Sequence, residues 1–196
     1  MNRELAQRLN QIVGRVTEPE FLSSSGLASE IAYYIFDYPA NDEIQLRKHL
    51  PKLEQQLQNN HPEVSFLHLD LYEESLNYLR HRNLLNRVIG FEGSQSDSEL
   101  MKKVRAALNE EKLTRFLSET YALKTQKIIL LSGAGKVSPV IRCSTLLSRL
   151  QSLTGNTPVV LFFPGEYDGQ SFRIFGESGD RSKSNYYRAF RLITEG

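Results

Sequence analysis

The chain has 196 residues, 40% of them hydrophobic and 24% charged, with a net charge of +1. That is enough for one domain with its own core, and too balanced for strong non-specific attraction to DNA. No apolar run approaches the roughly 18 to 20 residues of a membrane span, and the start "MNRELAQRLNQIVGRV" lacks the charged head and hydrophobic core of a signal peptide, so a cytoplasmic protein with no membrane contact is expected.

The elements alternate between helix and strand. Leu5, Leu9, Ile12, Val13 and Val16 recur at helical spacing, which predicts an N-terminal helix within residues 1–20 that lays one apolar stripe on the core. "EIAYYIFDY" (30–38) is a β-rich run ended by Pro39. Asp42 and Gln45 have the spacing of a capping pair, and Leu46, Leu50, Leu53 and Leu57 line one face of the next helix, where Pro51 should kink the chain or start a new turn. "VSFLHLDL" (64–71) alternates too little for an exposed strand and reads as buried on both faces of a parallel sheet. A helix bearing Leu76 and Leu79 follows it. Ser96 and Glu99 fit a capping box, opening a long helix through Leu100, Val104, Leu108 and Phe116 to about residue 121. "KIILL" (127–131) is a third strand, "VIRCSTLLSRL" (140–150) a helix and "TPVVLFF" (157–163) a fourth strand, with which "SFRIFG" (171–176) is expected to pair as an antiparallel edge. The economical architecture is one α/β domain over 1–196, a three-layer α/β/α sandwich around a mostly parallel sheet. Residues 177–196 form its C-terminal segment, read as a docked helix with tyrosines at its edge.

The stretch "LLSGAGKVSP" (130–139) has the look of a nucleotide-phosphate loop. Such a loop needs a glycine, four residues and then Gly-Lys-Ser/Thr. Reading back from Gly135-Lys136, the first glycine position holds Leu130 and the hydroxyl position holds Val137, so both anchors are missing. The dinucleotide fingerprint fails too, with Val137 and Ser138 where its third glycine would fall. What remains is position. In an open parallel sheet the strand carboxyl ends form the crevice where ligands or partners dock, and Asp37, Asp70, "SGAG" and "PGEYDGQ" collect there. Gly133, Gly135, Gly165 and Gly169 suit tight turns with positive φ, Pro164 stiffens the fourth loop, and Tyr167 offers a large amphipathic surface. Arg142, in the first turn of the following helix, is a candidate partner for Asp168, holding a platform from which Tyr167 is presented. Asp37 and Asp70 read as turn caps before they read as magnesium ligands.

Other chemistry is poorly supported. No Gly-x-Ser-x-Gly elbow or paired-histidine helix is present, His68 reads as a hydrogen-bonded strand residue, and the single cysteine, Cys143, reads as a small core residue. One thiol with four scattered histidines has no zinc-ligand spacing, so neither metal nor cofactor is expected. Charge is unevenly spread: residues 1–123 hold 14 Lys and Arg against 18 Asp and Glu, and residues 124–196 hold 10 against 5. Within the basic third, Arg181, Lys183, Tyr187, Arg188 and Arg191 interleave cations with aromatics in a way that can stack on and neutralise nucleic acid.

The stretches "GAGKVSPVIRCSTLLSRL", "TPVVLFFPGEYDGQSFRIFG" and "NYYRAFRLI" resemble the carboxyl half of the BrxB family of BREX bacteriophage-defence systems. "YPANDEIQLRKHLPKLEQQL" and "FLHLDLYEESLNYLRHRNLL" are similar to its amino half. The resemblance implies a small non-catalytic accessory protein that works with an alkaline-phosphatase-like protein, PglZ, and a methyltransferase, PglX, in host modification and phage exclusion. On the residues alone, a nucleic-acid-contacting subunit and a degenerate nucleotide-binding domain stay open as alternatives.

Overall fold

The computed structural model describes residues 2–23, 33–91, 96–169, 171–173 and 189–193. Five strands form one parallel sheet: β1 (Tyr33–Tyr38), β2 (Phe66–Asp70), β3 (Ile128–Ser132), β4 (Val159–Pro164) and β7 (Ala189–Arg191), in the order β2-β3-β4-β1-β7. Alternation along the strands divides the core in two. Phe36, Tyr38, Val160 and Phe162 face a layer built from α1 (Arg3–Val16), α2 (Pro19–Leu22) and α3 (Glu43–Asn60). Tyr33, Ile35, Val159, Leu161 and Phe163 face the opposite layer, built around α4 (Leu71–His81), α7 (Glu110–Thr120), α8 (Ala134–Val137) and α9 (Cys143–Thr154). Between α4 and α7 the chain adds α5 (Leu85–Ile89) and α6 (Asp97–Ala107). The molecule is thus an α/β/α sandwich on a mostly parallel sheet, and the N-terminal helix buries Leu5, Leu9, Ile12 and Val16 on it.

Several local expectations are corrected. β2 is an edge strand, half-buried along most of its length, whereas β3 and β4 are buried at every residue. β2 carries His68 and Asp70 where β3 has a single serine and β4 no polar side chain, and its edge position leaves these groups within reach of water. α3 runs through Pro51 without restarting. The proline and Arg47, whose carbonyl loses its helical donor, both lie on the exposed face where water can replace the bond. Asp42 and Gln45 do not cap α3; they reach across to α1. Asn2 Nδ2 donates to Asp42 Oδ2 at 2.7 Å, and the Gln45 amide both accepts from the Asn2 N–H and donates to its carbonyl, each at 2.9 Å.

The long helix expected from 96 to 121 is two. It breaks at Leu108, and the Asn109 side chain caps the second piece by accepting from the Lys112 N–H at 3.1 Å. Ser96 stands at the N-cap of α6 without a side-chain bond. The segment "SFRIFG" pairs not with β4 but with the residues directly after it. β6 (Phe172–Arg173) runs antiparallel to β5 (Glu166–Tyr167) as a separate hairpin, and 174–176 lie outside the described residues. The C-terminal segment supplies strand β7, parallel to β1, where a helix was expected.

Candidate functional site at the carboxyl end of the sheet

The loop after β3 settles into a single helical turn. Gly133 takes φ +76°, and a side chain there would meet Asp70 Oδ1 at 2.4 Å, so only glycine fits beneath that carboxylate. Asp70 caps α4 by accepting from the Tyr72 and Glu73 N–H groups at 2.9 and 3.3 Å, and its other oxygen takes the Lys136 ammonium at 2.7 Å. Burial works to raise the Asp70 pKa, but Lys136 and the two backbone donors outweigh it and hold the carboxyl below its usual range. The lysine that would neutralise a phosphate is committed to a carboxylate. Of the two aspartates read as turn caps, Asp70 is one.

Gly135 and Gly165 are required by close approach, not by positive φ. A Cβ on Gly135 would sit 2.8 Å from Pro164 Cγ, and one on Gly165 would sit 2.1 Å from the Arg173 carbonyl oxygen. The turn α8 after β3 therefore touches the end of β4 through Gly135 and Pro164. Gly169 does adopt positive φ, at +91°.

The second aspartate, Asp37, is 6% exposed and joins four elements. Its Oδ1 accepts from Arg8 Nη2 of α1 at 3.0 Å. Its Oδ2 accepts from the Tyr167 N–H of β5 at 3.1 Å and lies 3.3 Å from Arg191 Nη2 of β7. Arg191 also donates to the Tyr167 carbonyl from Nε and Nη2, at 3.1 and 2.7 Å. Over this floor opens a crevice of about 530 Å³, walled by Tyr38, Pro39 and Ala40 after β1 and by Gly165 to Asp168 after β4. Its position follows from topology. After β1 the chain leaves for α3 on one face of the sheet, and after the adjacent β4 it leaves for a hairpin whose Tyr167 and Phe172 join the core of the other face. Strands whose connections part in this way leave a cleft between them.

Tyr167 is not presented to a partner. It is 1% exposed, its hydroxyl donates to the Ala189 carbonyl at 3.1 Å, and its ring packs on Phe172 with centroids 4.9 Å apart. Burial pushes the phenol up to about 12. Asp168 does not reach for Arg142. It accepts from the Ser171 N–H and hydroxyl, both at 2.7 Å, and pairs with Arg173 at 3.4 Å. Arg142 is the N-cap residue of α9, one step before the helix, and its N–H donates to Glu110 of α7 at 2.7 Å. Gly133, Gly135, Pro164, Gly165, Tyr167, Asp168 and Gly169 thus gather at the carboxyl end, while the backbone of Arg142 is anchored on α7. Of the basic set, Arg191 lines the crevice; Arg181, Lys183, Tyr187 and Arg188 lie outside the described residues.

Arg8 and Arg173 escaped sequence reasoning. Arg8 carried a signal: it stands three residues after Leu5 and four before Ile12, inside the apolar stripe of α1, where a charge needs a buried partner. His68 is the hydrogen-bonded strand residue expected, but its two partners were not read from sequence. His68 bonds Glu54 of α3 at 2.5 Å through Nδ1 and Ser132 Oγ at 2.8 Å through Nε2. The order Ser-His-Glu matches that of a hydrolase triad, but Ser132 is 4% exposed and the chain of bonds ties α3 to the sheet. Cys143 is buried, and burial with Glu110 nearby pushes its thiol up to about 12, far from a reactive thiolate. Among the described residues no three His, Cys, Asp or Glu side chains group as a metal site, and no helix is long and apolar enough to cross a membrane.

Comparison with known proteins points one way. The family model described as BREX protein BrxB matches residues 67–192. A protein of that name from Escherichia coli O9:H4 (strain HS) is 36% identical over 191 residues, covering 97% of this chain and 92% of that protein. Another of that name, from Bacillus cereus (strain H3081.97), is 35% identical over 198 residues, covering 97% and 98%. No solved structure matches at a significant level.

Proposed function

The chain belongs to the BrxB family of BREX proteins, and from that membership we propose that it is a non-catalytic, single-domain accessory subunit of a phage-defence system. In this reading it works in the cytoplasm, docking the phosphatase-like PglZ, the methyltransferase PglX, or both, through the loops at the carboxyl end of the sheet. One observation carries it: every aspartate of that face, and its lysine, is held by a neighbouring side chain. Lys136 is held by Asp70, Asp37 lies between Arg8 and Arg191, and Asp168 is taken by Ser171 and Arg173. Such a face offers a fixed shape and charge pattern for recognition rather than a poised acid, base or nucleophile. The nucleotide-binding alternative loses support because the loop lysine is committed. The nucleic-acid alternative loses some because Arg191 is turned onto Asp37 and Tyr167.

Co-expression with each component of the same system, followed by affinity capture at moderate salt, tests the proposal. The expected result is stoichiometric recovery of PglZ or PglX. Recovery of neither, with the chain folded and monodisperse, would overturn it.

A further inference from the structure

Around Asp37 two guanidinium groups share one carboxylate, so the floor of the crevice carries a net charge of about +1 from three charged side chains. Neither guanidinium is used up. Arg8 bonds through Nη2 alone and Arg191 through Nε and Nη2, and among the described residues neither Nη1 has a hydrogen-bond partner. Arg8 Nε is itself buried without a partner. The side chains of Arg8 and Asp37 are 11% and 8% exposed, so this excess cation sits where water screens it weakly and leaves donors uncompensated. Arg191, 36% exposed, opens the cluster to the crevice.

We propose that this floor is a carboxylate-binding site whose occupant is an Asp or Glu side chain of a protein partner; the identity of the occupant rests on the interaction role argued above. A carboxylate set against the open edges of Arg8 and Arg191 would complete an alternating ring, cation to anion to cation to anion, and bring the floor to neutrality. Guanidinium edges suit that geometry, because they meet a carboxylate with parallel donors. The rim decides between oxyanions. Glu166 and Asp168 against the single Arg173 give it a net charge of about −1 among the described residues, which a monoanion tolerates and a phosphate dianion meets as repulsion.

Two measurements test the site. Arg8 Nε is buried and Arg191 Nε is hydrogen-bonded, so both Nε–H signals should be visible by NMR in the 15N-labelled wild-type protein. Titration with sodium acetate should shift both saturably, with inorganic phosphate acting more weakly and matched sodium chloride not at all. No saturable shift with acetate, or tighter saturation by phosphate, overturns the proposal. With the partner recovered by co-expression, Arg8→Gln should weaken affinity tenfold or more while Arg115→Gln, on the exposed side of α7 away from the crevice, stays within twofold. A folded Arg8→Gln protein that binds as wild type also overturns it. If Arg8→Gln does not fold, the acetate titration of the wild type decides alone. If no partner is recovered, the interaction role fails while the titration still decides whether a carboxylate site exists.

Discussion

Tyr167 shows how one residue can serve the site without being seen by a partner. Its ring is core and its backbone is ligand, donating to Asp37 and accepting from Arg191. Tyr167→Phe removes only the hydroxyl bond to Ala189 and should cost about 1 kcal/mol of stability, plus any penalty for the stranded carbonyl. Tyr167→Ala empties a core position and should cost about 3 to 5 kcal/mol. Urea titrations followed by circular dichroism would separate the two, and equal losses would mean that the ring contributes little packing. Sequence could not assign Tyr167, because a tyrosine whose hydroxyl meets water and one whose hydroxyl meets a buried carbonyl look alike in one dimension. Gly133 was legible for the opposite reason: a glycine closing an apolar strand has few explanations besides a backbone that other residues resist. Gly133→Ala should therefore destabilise by about 1 to 2 kcal/mol from its left-handed φ alone, with the clash against Asp70 added.

Among the elements, the break between α6 and α7 shows where periodicity misleads. Leu100, Val104 and Leu108 keep a four-residue beat up to the break, and Phe116 is in phase beyond it, so the apolar pattern hides a cap that only Asn109 reveals. Asn109→Ala should cost about 1 kcal/mol, read as a lowered melting temperature, because the Lys112 N–H loses its acceptor. The packing of α1 on α3 carries a pH dependence. Burial holds the His49 imidazole below its ordinary value of about 6.5, against the upward pull of the Leu9 backbone and helped by Lys52. The unfolded chain then takes up this proton before the folded one as pH falls. Stability from this group is complete above about 6.5 and declines below it. Thermal melts from pH 7.5 to 5 should fall more steeply for wild type than for His49→Gln; parallel slopes would remove His49 as the cause.

For the whole molecule, sequence revealed the alternation of helix and strand, and so the sandwich, because β1 to β4 and most of the longer helices announce themselves locally; β7, read as a helix, did not. Strand order was not legible. β7 pairs with β1 across most of the chain length, and no local pattern says which strands will be neighbours. The same distance hid the crevice, whose floor takes Arg8 and Asp37 from the first fifth of the chain and Arg191 from its end. The committed lysine gives a prediction at this scale: calorimetric titration with magnesium-ATP should show no tight binding, and Lys136→Ala should leave that unchanged while lowering stability at neutral pH. Magnesium-dependent turnover lost in Lys136→Ala would contradict it. The order β2-β3-β4-β1-β7 also bears on how the protein is made. β1 leaves the ribosome first of all the strands, yet both strands that flank it come from residue 159 onward, so it must wait with two open edges while the rest is translated. A nascent chain that stalls before Arg191 lacks one jaw of the arginine pair. The floor of the crevice can therefore close only once Arg191 has been made, so this face is among the last parts of the fold to form during translation.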